Sequence, residues 1–290
     1  MAAERQYLNR TYGDRNDFGN IPTAFIKAAG IDFAYRAIGK FTGTPLICLQ
    51  HFTGNMDSWD PAVINALAEQ RSVIVFDNAG LGRSGGNTPD SIEQMAMDAH
   101  AFLSAMGFNS VDLLGFSLGG MVAQALAAHH PQLVRKIVLV GTAPRGGQER
   151  LLASVEEALA RTDAPDPRLP LFFADTPKSW AAGLAFLKRA SARVIDRDPE
   201  SGDMVRAQQA KAIITWCATP DPGNSILSAI GQPVLIVSGS HDRMLPEENA
   251  MIIFRNLKDA QLLFYPDAGY ASLFQYPQRF VRHVTQFLLE

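Results

Sequence analysis

Apolar and polar positions follow two rhythms along the chain. Short unbroken apolar runs mark buried strands at Pro45–Gln50, Ser72–Phe76, 111–115, Lys136–Val140, Pro233–Gly239 and Gln261–Tyr265. Between them lie stretches of helical period: one through Ala62, Ile64, Leu67 and Ala68, then 91–106, 118–130, Pro246–Leu257 and Pro277–Leu289. Ahead of this series, Thr23–Ala29 and Ile31–Ile38 flank Gly30 and read as two strands joined by a tight turn. Strands that are apolar throughout, alternating with helices, predict a parallel sheet covered on both faces. The rhythm breaks over residues 144–230, where helical patterns and prolines occur without a convincing strand. The expected organisation is one α/β core from residues 21–143 and 231–290, a helical insertion over 144–230, and a loose polar arm at 1–20.

Composition narrows the picture. At 290 residues and 47% apolar content, the chain is long enough for a large core. A net charge of −3 with no basic run gives no reason to expect nucleic acid or an anionic membrane as partner. The N-terminus has no apolar leader and no later run approaches a membrane span, so a cytoplasmic protein is expected. Cys48 sits inside an apolar run and is read as a reduced core residue, Cys217 follows Trp216 in a helical stretch, and a disulfide between the two is the disfavoured alternative. No spacing of His, Cys, Asp and Glu matches a metal site, and no metal or cofactor is expected.

The stretch richest in chemistry is Val111–Met121. A buried strand runs into Gly115-Phe116-Ser117-Leu118-Gly119, and Leu118, Met121, Val122, Ala125 and Leu126 then form one face of a helix. A serine in so tight a strand-to-helix turn is pushed above the sheet, its Oγ exposed and helix N-terminal N–H groups beside it. Glycines flank it because a Cβ at either place would clash. Ser117 is therefore the candidate nucleophile. Gly80-Leu81-Gly82-Arg83-Ser84-Gly85 also satisfies Gly-x-Gly-x-x-Gly. Dinucleotide binding would need a helix opening at those glycines, whereas Gly86-Asn87-Thr88-Pro89 prolongs the loop. His129 and His130 fall in the last turn of the helix after Ser117, a structural place where cations suit the dipole.

Four motifs in order resemble the α/β-hydrolase family: Gln50-His51-Phe52-Thr53-Gly54, Asp77-Asn78-Ala79-Gly80-Leu81-Gly82-Arg83-Ser84, Gly115-Phe116-Ser117-Leu118-Gly119 and Gly239-Ser240-His241-Asp242. The resemblance covers nearly the whole chain. It implies an eight-stranded, mostly parallel sheet with helices on both faces, a helical cap inserted after the sixth strand, and a Ser…Asp…His triad in that order. It makes Ser117 the nucleophile, Asp242 the acid, and the N–H groups of Phe52 and Leu118 the oxyanion hole. Two departures stand out. Where relatives read His-Gly after the third strand, this chain has Gln50-His51. Where relatives carry the triad histidine, in Pro-Asp-x-Gly-His, this chain reads Pro266-Asp267-Ala268-Gly269-Tyr270. A phenol with a pKa of about 10 stays protonated at neutral pH and cannot take the serine proton as imidazole does.

The resemblance thus implies a serine hydrolase of a carboxylic ester or lactone, impaired or altered by Tyr270. The alternatives are a non-hydrolysing ligand-binding member of the fold, a lyase or isomerase using Tyr270, and a site in which His51 supplies the base. The cap aromatics Phe172, Phe173, Trp180, Phe186 and Trp216 are expected to pack the lid on the sheet. His51, Phe116, Trp180 and Trp216 are the candidate pocket residues. The expected partner is a small-molecule substrate or ligand, and a homodimer is compatible with this reading.

Overall fold

The computed structural model describes residues 17–40 and 43–290. Its strands are β1 (Ala24–Ala28), β2 (Ile31–Ile38), β3 (Leu46–Leu49), β4 (Val73–Phe76), β5 (Val111–Phe116), β6 (Val134–Val140), β7 (Val234–Gly239) and β8 (Ala260–Tyr265). They form one eight-stranded sheet in the order β1-β2-β4-β3-β5-β6-β7-β8. Only β2 runs against its neighbours; from β4 to β8 every pairing is parallel. The β1–β2 turn is made by Ala29 and Gly30, both at positive φ, the geometry that suits a two-residue hairpin to the strand twist. β3, β4, β5 and β7 are buried along their whole length, which is why they read as continuous apolar runs.

The helices are α1 (Pro61–Ala68), α2 (Ile92–Ala105), α3 (Leu118–His129), α4 (Leu151–Leu159), α5 (Arg168–Phe172), α6 (Pro177–Ala190), α7 (Asp203–Ala218), α8 (Ser225–Ala229), α9 (Glu247–Asn256), α10 (Ser272–Gln275) and α11 (Pro277–Leu289). α1 packs on α11, while α2 packs on α3 and α3 on α8, so the sheet is covered on both faces. Inside the core Phe76 stacks on Phe102 with ring centroids 4.4 Å apart. Between β6 and β7 the chain forms α4 to α8. Arg189 of α6 ties this segment to the core through two hydrogen bonds to the Asp60 carboxylate, at 2.8 and 2.6 Å.

Two local outcomes differ from the sequence reading. Asp112, counted within an apolar run, is a fully buried carboxylate. It survives there because Arg135 binds it through two nitrogens (2.9 and 2.6 Å) and Arg71 through a third (2.9 Å). Residues 1–16 of the expected arm lie outside the described residues, but 17–20 are not loose. Asp17 caps a 3-10 turn over Phe18–Asn20, and Phe18 is buried, its N–H bonded to Asn65 Oδ1 of α1 at 2.7 Å. The guanidinium of Arg193 grips the carbonyls of Phe18 and Ile21.

Among the described residues no helix is long and apolar enough to cross a membrane.

Candidate active site

The site is built at the carboxyl ends of the parallel strands. Ser117 alone joins β5 to α3, at φ +58° and ψ −119°, a left-handed region that costs a non-glycine residue free energy. Its neighbours pin it: its N–H donates to Val140 O (2.9 Å), and its own carbonyl accepts from Thr142 Oγ1 (2.7 Å). The flanking glycines are steric necessities. A Cβ on Gly115 would lie 2.5 Å from Gly119 O, and one on Gly119 would lie 2.1 Å from Leu49 O. That second approach welds the elbow to the end of β3, whose Leu49 is in register with Gly115.

The same adjacency brings the loop after β3 beside the N-terminus of α3. Among the described residues, neither the Phe52 N–H nor the Leu118 N–H donates a hydrogen bond to the protein. Thr53, at φ +59°, turns the loop back on itself. The loop hangs from the segment between β6 and β7 by four hydrogen bonds. Thr53 N–H donates to Gln209 Oε1 (2.6 Å), Ser201 Oγ to Thr53 O (2.7 Å), Asn55 Nδ2 to Pro199 O (3.1 Å), and Asp198 N–H to Asp57 Oδ2 (2.7 Å). Gln209, wholly buried on α7, carried no motif that sequence reading could have recognised.

Asp242 follows β7. Its Oδ1 accepts from the N–H groups of Met244 (3.0 Å) and Leu245 (2.9 Å), while Oδ2 is buried without a partner. Burial pushes its carboxyl up to about 7, against the opposing pull of those two N–H groups. Tyr270 follows β8 and is only 2% exposed, its ring centroid 4.7 Å from that of Phe116 and 5.5 Å from that of Phe172. Tyr270 and Asp242 Oδ2 both close around Gly141, and the phenol lies against Ser117 without a hydrogen bond of regular geometry. Burial raises the phenol's pKa, the contact with Ser117 opposes that rise, and the Asp242 carboxylate adds to it. Ser117, Asp242 and Tyr270 are thus brought together. The expected exposure of the serine is not met: Ser117 is 1% exposed, with the Tyr270 phenol lying against it.

His51 lies 7% exposed, its ring edge-on to Phe116 and to Phe172, both at 5.2 Å. Its Nδ1 is 2.8 Å from Phe52 O and its Nε2 has no partner. Burial, with a smaller push from Arg168 against the Phe52 hydrogen bond, lowers its pKa to about 4, so the ring is neutral.

Two cavities meet at this point. One of about 480 Å³ is lined by His51, Phe52, Leu171, Phe172, Met244 and Tyr270 among others. The second, about 600 Å³, shares Tyr270 and Leu171 with the first and includes His241, Arg243 and Gly269 in its wall. Three candidate pocket residues are placed elsewhere. Phe116 is wholly buried beneath the rings of His51, Phe172 and Tyr270 and lines neither cavity. Trp216 donates its Nε1–H to Ala143 O at 3.3 Å, and Trp180 sits under the Arg161 guanidinium at 5.3 Å; neither lines these cavities. Both tryptophans pack helices on the core, the role that helical periodicity alone can specify. Of the expected cap aromatics, Phe172 lines the first cavity and Phe173 the second.

The glycine-rich loop after β4 serves structure. Gly82 gives Asp77 room, since a Cβ there would lie 2.1 Å from Asp77 Oδ2, and α2 opens only at Ile92 behind its Ser91 cap. No helix begins at those glycines, so nothing there forms a dinucleotide phosphate cradle.

Comparison with known proteins agrees with this architecture. The alpha/beta hydrolase fold family matches residues 44–277. An alpha/beta hydrolase fold protein from Chitinophaga pinensis is 39% identical, with a TM-score of 0.86 over 94% of this chain and 98% of that one. A candidate carbamate hydrolase, RutD, of Azorhizobium caulinodans is 29% identical over 226 residues, 76% of this chain and 82% of that protein. The enol-lactonase of Burkholderia xenovorans LB400 shares the fold at a TM-score of 0.73 and 20% identity, over 92% of this chain and 100% of its own. The chain belongs to the alpha/beta hydrolase fold family and is a hydrolase by family.

Proposed function

We propose that this chain is a serine-nucleophile site for a carboxylic ester or lactone, held one residue short of a complete triad by Tyr270. One observation carries the reading: Asp242 Oδ2 is buried without a donor where a triad imidazole would give it an N–H, and the side chain at that position in the chain is the phenol of Tyr270. Ser117 Oγ would attack the substrate carbonyl carbon, and the N–H groups of Phe52 and Leu118 would hold the resulting oxyanion. Attack requires the hydroxyl proton to leave. Tyr270, already protonated and with its pKa raised further, offers no base to receive it. In a serine protease, loss of the triad base cost on the order of 10⁶ in turnover. Binding and slow acylation therefore survive better than turnover. The named activities of relatives, on carbamates and enol-lactones, lie within the same carbonyl chemistry.

A second reading has its own observation. Tyr270 OH and His51 Nε2 are both buried, unpartnered and set in the wall of one cavity, as a proton-shuttling lyase or isomerase would need. Its signature is activity that survives Ser117→Ala and disappears in Tyr270→Phe.

The deciding experiment is hydrolysis of a short p-nitrophenyl ester by the native chain, by Tyr270→His, and by Tyr270→His with Ser117→Ala. The expected result is near-inert native protein, turnover higher by orders of magnitude in Tyr270→His, and its loss in the double variant. Brisk turnover by the native chain, unaffected by the reversion, would overturn the proposal.

A further inference from the structure

His51 is a side chain where the loop of relatives reads glycine, and its surroundings leave it one chemical role toward a ligand. The Phe52 carbonyl can only accept a hydrogen bond, so the Nδ1 that lies 2.8 Å from it carries the imidazole proton. Nε2 is therefore a lone pair. It is buried, has no partner, and belongs to a ring that lines the 480 Å³ cavity. The ring has little freedom to turn away. Phe116 and Phe172 flank it, and on the Gly54 side a Cβ would already lie 2.9 Å from His51 Cε1.

The rest of the cavity wall sets the remaining chemistry. Val155, Leu159, Leu171, Phe172 and Met244 make it apolar. Its two guanidinium groups each have a carboxylate partner: Arg168 binds Asp166 through two nitrogens (2.9 and 2.7 Å), and Arg206 binds Asp203 at 2.7 Å. Neither cation is left without a carboxylate of its own, which disfavours a ligand carboxylate as the bound group. The Thr53 hydroxyl can rotate to donate or accept, Ser58 Oγ is held by Asn55 on both sides (3.3 Å each), and Nε2 can only accept.

We propose that the compound bound here is a neutral ester or lactone with a hydrogen-bond donor, a hydroxyl or N–H, beside its carbonyl, and that His51 Nε2 receives that donor. This rests on the reading above in which the Phe52 N–H holds the carbonyl oxygen, because His51 and Phe52 are adjacent in the chain and line the same cavity. An acceptor buried without a partner is costly, and a ligand donor relieves that cost while its deoxy analogue does not. The imidazole stays neutral throughout the physiological range, so Nε2 keeps its lone pair for the ligand.

The test is equilibrium binding, which needs no turnover. Calorimetry on the full chain would compare matched pairs: methyl mandelate against methyl phenylacetate, and α-hydroxy-γ-butyrolactone against γ-butyrolactone. The hydroxylated member is expected to bind about tenfold tighter or more, a preference that falls to near one in His51→Phe and is partly kept in His51→Gln. Equal affinity within the pairs, a preference untouched by His51→Phe, or no binding by any member would overturn the inference. The pair comparison on native protein stands even if His51→Phe fails to fold. Failure of the parent reading is separately visible, as an inert Tyr270→His variant, and a hydroxyl preference alongside that result would leave His51 as assigned.

Discussion

Replacing Asp242 by Asn should make the protein more stable as pH rises, although the residue sits at the centre of the site. Asn keeps the Oδ1 that accepts from the Met244 and Leu245 N–H groups and puts an uncharged NH2 in place of the unpartnered oxygen. The native carboxyl is raised from 3.8 to about 7 by burial. The folded protein therefore holds this proton more tightly than the unfolded chain. Its stabilising effect is complete below about pH 3.8 and is lost as pH climbs to about 7, at roughly 1.4 kcal/mol per unit. Across that window the native protein should lose on the order of 3–4 kcal/mol relative to Asp242→Asn. Urea unfolding of both proteins at half-unit steps from pH 4 to 8 reads the difference directly. The comparison also cancels the other buried groups. Asp77, raised to about 8, tilts stability the same way, whereas His51, lowered to about 4, costs stability as pH falls below about 6.5. Repeating the pair with Tyr270→His supplies an internal check, because an imidazole N–H on Oδ2 favours the carboxylate and should flatten the slope. Parallel stability–pH profiles for native protein and Asp242→Asn would refute the placement of a buried, unpaired carboxylate beside Tyr270.

Two further outcomes follow from the packing. Gly119→Ala puts a Cβ within 2.1 Å of a backbone oxygen that no rotamer can move, so it should cost about 3 kcal/mol or more; a thermal midpoint within a few degrees of native would refute it. Gln209→Leu leaves the Thr53 N–H without its acceptor and frees the loop that carries the Phe52 N–H. In the Tyr270→His background it should slow phosphonylation of Ser117 about tenfold, with Gln209→Glu, which keeps an acceptor, retaining most of the rate; an unchanged rate in the Leu variant would show that Gln209 does not position this loop.

What the sequence determined by itself was local. Apolar runs of strand length, helical periodicity and the Gly-x-Ser-x-Gly turn depend on residues a few positions apart, so the sheet, its covering helices and the strained Ser117 elbow were legible. Asp242 and Tyr270 could be marked as departures or matches, but not placed. Only the β7–β8 pairing, with Gly239 opposite Tyr265, brings the two following loops together over Gly141. Tertiary structure also decided which polar atoms lack partners. Asp112 looked like an anomaly in a strand and proved fully paired by Arg71 and Arg135, whereas Asp242 looked ordinary in a turn and keeps one oxygen bare. Periodicity indicates that an aromatic is buried but not against what, which is why Trp180 and Trp216 pack elsewhere while Phe172 and Phe173 line the two cavities. His51 shows the division most plainly. Its identity is written in the chain, but its neutral state and free Nε2 follow from contacts with Phe52, Phe116 and Phe172, which exist only once the chain has folded.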